Sequence, residues 1–159
     1  MIFLYLCSFY GINAQNDSLK TKAVLIELGG LGGYASLNFE HKFFNKQKSN
    51  FSYRIAFGTY KWIDFEEKFN PELIFPLSFS YYYGKKHQIE LGTGLTFVSI
   101  PVAEDFEKKR QNSISGHFIL AYRLETNKNW IYKIAFTPMF EKEKGFRPWF
   151  GLSFGKKIF

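Results

Sequence analysis

A hydroxyl and an imidazole lie two positions apart in the chain, at Ser115 and His117. In a β-strand both side chains would point to the same face, where Glu104 or Glu107 could approach them. Together they would supply a nucleophile, a general base and an orienting acid, the groups used in hydrolysis and acyl transfer. The spacing matches no recognised catalytic motif, and a lone inward-facing histidine is more often a hydrogen-bonded structural residue. We therefore predict no catalytic residues.

A second set of polar residues consists of charges that interrupt runs of small side chains. An unpaired charge that is shielded from water is very costly. We expect these acids and bases to pair with one another as an interior, structural network, and a path for protons or ions through them is the alternative interpretation. The predicted network consists of Glu27, Glu40, Arg54, Glu90 and Arg123.

Metal, redox and phosphate chemistry have little support in the sequence. Cys7 is the single cysteine, which excludes an internal disulfide and a multi-cysteine zinc site. His41 and His87 adjoin lysines, which disfavours metal binding. The glycines of 29–33 lack the lysine and following helix that a phosphate-binding loop needs. We expect no metal and no cofactor.

Strands, not helices, must position these residues. No window keeps a helical apolar spacing and no run of 18 apolar residues occurs, whereas period-two alternation is widespread. The segment 29–33 is either a turn between the first two strands or a bulge within one long strand. Eight strands are predicted, near 23–29, 34–43, 51–60, 72–82, 87–99, 115–125, 129–137 and 148–158.

The two faces of these strands differ in a way that predicts their surroundings. One face is large and apolar, and the other carries Gly, Ala, Ser, Thr and isolated charges. A soluble sandwich would instead show charged residues along its outer face. We therefore predict an all-β fold, an eight-stranded antiparallel up-and-down transmembrane β-barrel with its apolar face toward lipid.

Aromatic residues near the predicted strand ends fit two interfacial girdles of such a barrel. The alternative is that they are core aromatics of a soluble fold. The residues concerned are Tyr60, Trp62, Tyr82, Tyr83, Trp130 and Trp149.

The connections and the charge indicate an orientation with both termini in the periplasm. The outward connections would then be 29–33, 61–71, 100–114 and 138–147, three of them long, and the inward connections would be short, as in outer-membrane barrels. The net charge of +7 falls mainly on the periplasmic segments, to which we assign Lys42 and Glu125 as well.

Lysines at the periplasmic end would form a basic rim that meets anionic phospholipid headgroups, or would only solubilise tight turns. Aromatic residues do not interleave with them as in a nucleic-acid groove, so we expect no nucleic-acid partner. The predicted rim consists of Lys46, Lys48, Lys85, Lys86, Lys156 and Lys157.

The first fifteen residues, MIFLYLCSFYGINAQ, hold no charge and contain an apolar run of the length found in signal peptides. We predict a secretory signal over residues 1–15 and a barrel domain over residues 16–159. A buried N-terminal strand or an anchor is the alternative.

The repeated amphipathic strands, the aromatic-rich apolar face and the terminal Phe159 resemble the small OmpA/OmpX-type outer-membrane barrels of Gram-negative bacteria. The resemblance covers roughly residues 22–159. The runs 27–30, 36–40, 90–95 and 148–155 are also similar to a bacterial outer-membrane β-barrel domain family. The resemblance implies an outer-membrane location, and some barrels of this class are lipid A-modifying enzymes with a Ser/His/acid site near the outer rim.

We expect a non-enzymatic outer-membrane barrel with a plugged interior, acting as a structural or interaction component of the cell envelope. Its partners would be outer-membrane lipid and, through the outward loops, a partner barrel or a surface ligand. The alternatives are a rim-site lipid A hydrolase or acyltransferase that uses Ser115 and His117, and a narrow channel.

Overall fold

The computed structural model describes residues 21–46, 48–63, 68–104, 107–141 and 145–158, so the predicted signal segment and Phe159 lie outside it. No helix among these residues is long and apolar enough to cross a membrane. A 3₁₀ turn spans Gly30–Gly32. The strands are β1 (Thr21–Gly29), β2 (Ala35–Lys46), β3 (Ser49–Thr59), β4 (Leu73–Gly84), β5 (His87–Glu104), β6 (Glu107–Glu125), β7 (Trp130–Phe136), β8 (Met139–Glu141), β9 (Gly145–Arg147) and β10 (Phe150–Lys157).

The strands pair antiparallel into one closed sheet, in which β1 pairs with β10 and β5 pairs with β6. β7 and β8 are one wall strand, because both pair with β6 in the same register across an interruption at Pro138, which has no N–H to donate. β9 and β10 likewise form one wall strand opposite β8 and β7. The wall therefore has eight strands, and the predicted up-and-down antiparallel barrel is confirmed.

The pairing is staggered around the wall. A path from Lys157 that follows one paired residue to the next returns to the same wall strand at Arg147, ten residues earlier. An eight-stranded barrel with staggered pairing encloses a space that side chains alone can fill. The path runs through Lys157, Ala23, Glu40, Arg54, Ser78, Gly94, His117, Met139 and Arg147.

Side chains alternate between an apolar exterior and a small or polar interior, as the period-two pattern predicts. Large apolar residues such as Ile26, Phe79 and Ile134 are about half exposed on the outside, whereas Ser52 and Ser80 are buried inside. We call the end of the barrel that carries Ala23 and Lys157 the terminal end, and the opposite end the loop end.

The segment 29–33 is a turn rather than a bulge, and it folds into the loop end of the barrel. Gly29, Gly30 and Gly33 have φ values of 69°, 72° and 88°, a region that glycine enters without steric cost. The turn buries Leu31 to 1% exposure. Leu31 packs with Ile119, Ala121, Ala135 and Met139, beside the half-buried Trp149. We refer to the five buried residues, without Trp149, as the Leu31 cluster.

Two of the segments that were predicted to be outward loops form β-hairpins instead. Over 100–114 the chain continues β5 and β6 as a hairpin that pairs as far as Glu104 and Glu107. Over 138–147 it forms the β8–β9 hairpin. The side chains of Gln111, Asn112 and Ser113 are all exposed and polar, so the apolar and polar alternation of a strand is lost there. The backbone nevertheless still pairs with β5.

Candidate functional site

Among the residues that the structure describes, the interior of the barrel buries equal numbers of acidic and basic side chains. Each of these side chains is 7% exposed or less, and four are acidic and four are basic, so their formal charges cancel. They include all five residues of the predicted network, Glu27, Glu40, Arg54, Glu90 and Arg123, together with Lys42, Glu125 and Lys133.

Arg123 on β6 connects opposite walls of the barrel. Its Nη1 donates to Oε1 and Oε2 of Glu40 on β2, at 2.7 and 2.8 Å, and its Nε lies 2.9 Å from Oε1 of Glu125. The Tyr82 hydroxyl also donates to Glu40, at 2.9 Å, and its ring lies 5.0 Å from the guanidinium carbon. Each group that stabilises the Glu40 carboxylate therefore comes from a different strand.

Tyr82 was predicted to lie in an aromatic girdle, and the structure corrects this: the side chain is 0% exposed in the interior. Three consecutive tyrosines, residues 81–83, obscure the phase of β4. The phase is set instead by Ser78 and Ser80, which are buried and of the same parity as Tyr82. The sequence therefore does indicate that Tyr82 faces inward. The signal is the parity that Tyr82 shares with the small residues Ser78 and Ser80, and not the pattern of the aromatic residues.

The carboxylate of Glu125 lies at the terminal end between two lysines. Lys42 Nζ lies 2.5 Å from its Oε1, and Lys157 Nζ contacts its Oε2. Lys42 also donates to Gln88 Oε1 at 3.1 Å. Lys42 and Glu125 were assigned to the periplasmic segments between strands, and the structure corrects this. Both side chains are buried inside the wall, because the inward face of β2 and β6 continues to these positions.

The predicted basic rim divides between the two faces of the wall. Lys157 is only about one quarter exposed because it reaches inward to Glu125. Lys48, Lys85, Lys86 and Lys156 are exposed. The Lys46 side chain lies outside the described part of the chain.

The other charges form looser pairs. Arg54 Nη1 lies 3.9 Å from Glu27 Oε1, and its Nη2 has no hydrogen-bond partner among the described residues. Lys133 Nζ lies 3.1 Å from Glu90 Oε2, while the Ser80 hydroxyl donates to Glu90 Oε1 at 2.9 Å. Glu90 thus pairs with a base that was not included in the predicted network.

At the loop end, aromatic rings lie beside the Leu31 cluster. Tyr60 and Trp149 meet edge to face, with ring centroids 6.3 Å apart, and Tyr34 packs edge to face on Tyr60 at 5.6 Å. Burial raises the pKa of the Tyr60 hydroxyl above its usual value. The phenol therefore stays neutral at physiological pH and adds no charge to this end.

The residues of the catalytic alternative are not brought together. Ser78 Oγ and Thr96 Oγ1 each lie 3.0 Å from a ring nitrogen of His117, Nε2 and Nδ1 respectively. Ser115 is buried on the same strand, but both imidazole nitrogens are already occupied. The side chains of Glu104 and Glu107 lie outside the described part, and the backbone of Glu107 is roughly 33 Å along β6 from His117 at about 3.3 Å per residue.

Removing one member of the central pair should destabilise the barrel strongly. We expect Arg123→Met to lower the free energy of unfolding by about 3–5 kcal/mol, because Glu40 and Glu125 lose a partner while they stay buried. Adding Glu40→Gln should recover part of this loss. Urea unfolding in detergent micelles, followed by tryptophan fluorescence, measures both effects.

The matched control for this prediction is Arg147→Ala. Arg147 pairs with Glu141 at 3.0 Å but is 38% exposed, so its loss should cost less than about 1 kcal/mol. Equal losses for Arg123→Met and Arg147→Ala would contradict a stabilising role for the buried pair.

No protein-family model and no curated protein matches the sequence. Solved structures with a similar fold include two outer-membrane proteins. The N-terminal β-barrel domain of Pseudomonas aeruginosa OprF aligns with a TM-score of 0.59 at 12% identity, over 87% of this chain and 96% of that domain. The outer-membrane protein Ail of Yersinia pestis aligns with a TM-score of 0.55 at 8% identity, over 87% of this chain and 99% of Ail. The chain therefore has the fold of small eight-stranded outer-membrane barrels.

Proposed function

We propose that the chain is an integral outer-membrane barrel with a closed lumen, which holds recognition hairpins at the cell surface and has no catalytic role. The observation that carries the proposal is the exterior of the closed wall. Large apolar side chains stand exposed on β1 to β7 and on β10, among them Leu37, Phe57, Leu77, Leu120 and Leu152. An apolar surface that encircles a protein is an aggregation hazard in water and is stable against acyl chains.

The orientation follows from the two ends. The terminal end has tight turns such as that between β4 and β5, where Gly84 and His87 are the flanking residues. The loop end carries the β5–β6 and β8–β9 hairpins. Outer-membrane barrels have short periplasmic turns and longer extracellular connections, so we infer that the terminal end faces the periplasm.

The closed lumen is supported by two layers of packing. The charges described above pair with one another across the middle and the terminal end. The Leu31 cluster lies at the loop end, with Trp149 packed against it. A narrow eight-stranded wall leaves room for side chains only, which favours a solid interior over a channel.

The interaction role is supported by how firmly the long hairpin is held at its base. Arg110 on β6 donates to Asn70 Oδ1 at 2.8 Å and to the Pro71 carbonyl at 3.0 Å. It also donates to the Ser99 carbonyl at 3.0 Å. Exposed aromatic residues lie on the neighbouring connections, with Phe69 at 76% and Phe146 at 56% exposure. A braced hairpin beside exposed rings suits a protein or glycan ligand better than it suits catalysis.

Membrane fractions should contain the protein as a heat-modifiable band. We expect the unheated sample to migrate differently from the boiled one on a denaturing gel, because the closed sheet resists detergent until it is heated. Reconstitution in a planar bilayer should give no resolved single-channel steps.

Two results would contradict this reading. A protein that stays monomeric and folded in buffer without detergent would remove the membrane location. Conductance steps that change in Arg54→Ala would replace the closed lumen with a channel.

The partner should be reached through the β5–β6 hairpin. We expect a photo-reactive phenylalanine analogue at Gln111 to cross-link to a partner in intact cells, because this side chain is exposed on the hairpin directly beside the braced Arg110. The matched control is the same analogue at Lys86, which is exposed at the opposite end. Adducts at Lys86 but not at Gln111 would place the interaction at the wrong end.

A further inference from the structure

An apolar groove runs along the outside of the wall over β1, β10, β7 and β6. It consists of two adjoining hollows of about 540 and 580 Å³, which share Ile26 and Phe154. The first hollow opens at the terminal end beside Trp130 and Lys156. The second continues toward Leu28 and Leu152 nearer the loop end. Because they share these two residues, the hollows form one apolar groove, with Lys156 at its terminal-end opening.

Lys156 stands at the mouth of this groove between two nonpolar neighbours. It is the cross-strand partner of Val24 on β1 and of Trp130 on β7. Its Nζ lies 5.3 Å from the centroid of the Trp130 ring, and its side chain is exposed. The ammonium group is therefore held at the edge of the groove rather than free to sweep the surface.

Two further lysines adjoin residues that line the mouth, Lys22 through a backbone hydrogen bond with Ile158 and Lys128 as the chain neighbour of Asn129. Lys22 lies on β1 two residues from Val24, and Lys128 lies in the turn before Trp130, and both are exposed. Glu125, at the end of β6, does not neutralise them, because its carboxylate points into the lumen between Lys42 and Lys157. The mouth of the groove is thus positively charged.

The floor of the groove is firm and apolar. Trp130 stacks on Phe154 with centroids 4.8 Å apart and an interplanar angle of 16°, and Tyr132 packs on Phe154 at 5.2 Å. Val24 and Ile26 form the opposite side. A ligand that fits has a long hydrocarbon body and an anionic group at one end.

We propose that this groove binds one anionic phospholipid, with its phosphate at Lys156 and its acyl chains along Ile26 and Phe154. This inference rests on the proposed membrane location. Charge complementarity selects the occupant: a zwitterionic lipid gains less from three lysines, and a second copy of the chain docked symmetrically here would place the same lysines against each other. The site would fix one lipid of the periplasmic leaflet against the barrel.

Trp130 is a built-in reporter for this site. The chain has three tryptophans, and the other two, Trp62 and Trp149, lie at the loop end. The double variant Trp62→Phe/Trp149→Phe therefore restricts fluorescence to the mouth of the groove. Bromine atoms on the acyl chains of a lipid quench an indole that they contact. The probes are two series of mixed phosphatidylcholine and phosphatidylglycerol vesicles of the same composition. In one series the phosphatidylglycerol is brominated, and in the other the phosphatidylcholine is brominated.

We expect quenching to give a relative binding constant of about three or more for phosphatidylglycerol over phosphatidylcholine. Lys156→Gln should bring this ratio to about one. Lys48→Gln, which removes the same charge from the β2–β3 turn at the same end, should leave the ratio unchanged. The comparison of these two lysine variants is repeated with all three tryptophans present, so that it does not depend on the folding of Trp149→Phe.

Each contrary outcome has a distinct meaning. Equal quenching by the two brominated lipids in the parent chain overturns the site and leaves the membrane barrel intact. Equal losses in Lys156→Gln and Lys48→Gln overturn it too, because they assign the preference to diffuse charge. Absence of quenching by either lipid overturns both the site and the proposed membrane location.

Discussion

The closed wall of the barrel is narrow, and its width determines how inward-facing side chains can be accommodated. Eight strands with this stagger enclose only enough space for side chains, so a charge that points inward meets other side chains instead of bulk water. Each buried acid must then have a buried base. In the described part of the chain the interior holds four buried acids and four buried bases. Their pairing in turn fixes which walls of the barrel are joined across the lumen.

The pairs that form are not the ones that adjacency in the sheet suggests. Glu40 and Arg54 are direct cross-strand partners, yet the Glu40 carboxylate is bound by Arg123 from the opposite wall. Arg123 and Lys133 are also direct partners and would repel each other if they were left side by side. They diverge instead, Arg123 to Glu40 and Lys133 to Glu90. Glu40, Arg123 and Lys133 therefore form ion pairs with residues other than their direct cross-strand partners.

The strands and their inward face can be predicted from the sequence, but the ion pairs inside the barrel cannot. Period-two alternation predicts the strands and places Glu27, Glu40, Arg54, Glu90 and Arg123 on one face, because a strand of an antiparallel sheet alternates regardless of its partners. Which acid meets which base depends on the stagger of the whole barrel, which no local pattern encodes. Lys42 and Glu125 were misassigned for a related reason. They stand near the strand ends, where a charge on a short turn and a charge inside the mouth look alike in sequence.

The interior of the barrel is filled by different kinds of side chain at its two ends. At the loop end the interior is filled by apolar side chains. Leu31 reaches it from a tight turn whose glycines adopt positive φ angles that other residues rarely adopt. At the terminal end the filling also contains charges, and Lys157 belongs to them through its contact with Glu125, while its neighbour Lys156 points outward. Adjacent residues of β10 thus serve opposite faces of the wall. The period of two that buries one lysine against Glu125 necessarily sends the next one to the exterior, beside Trp130.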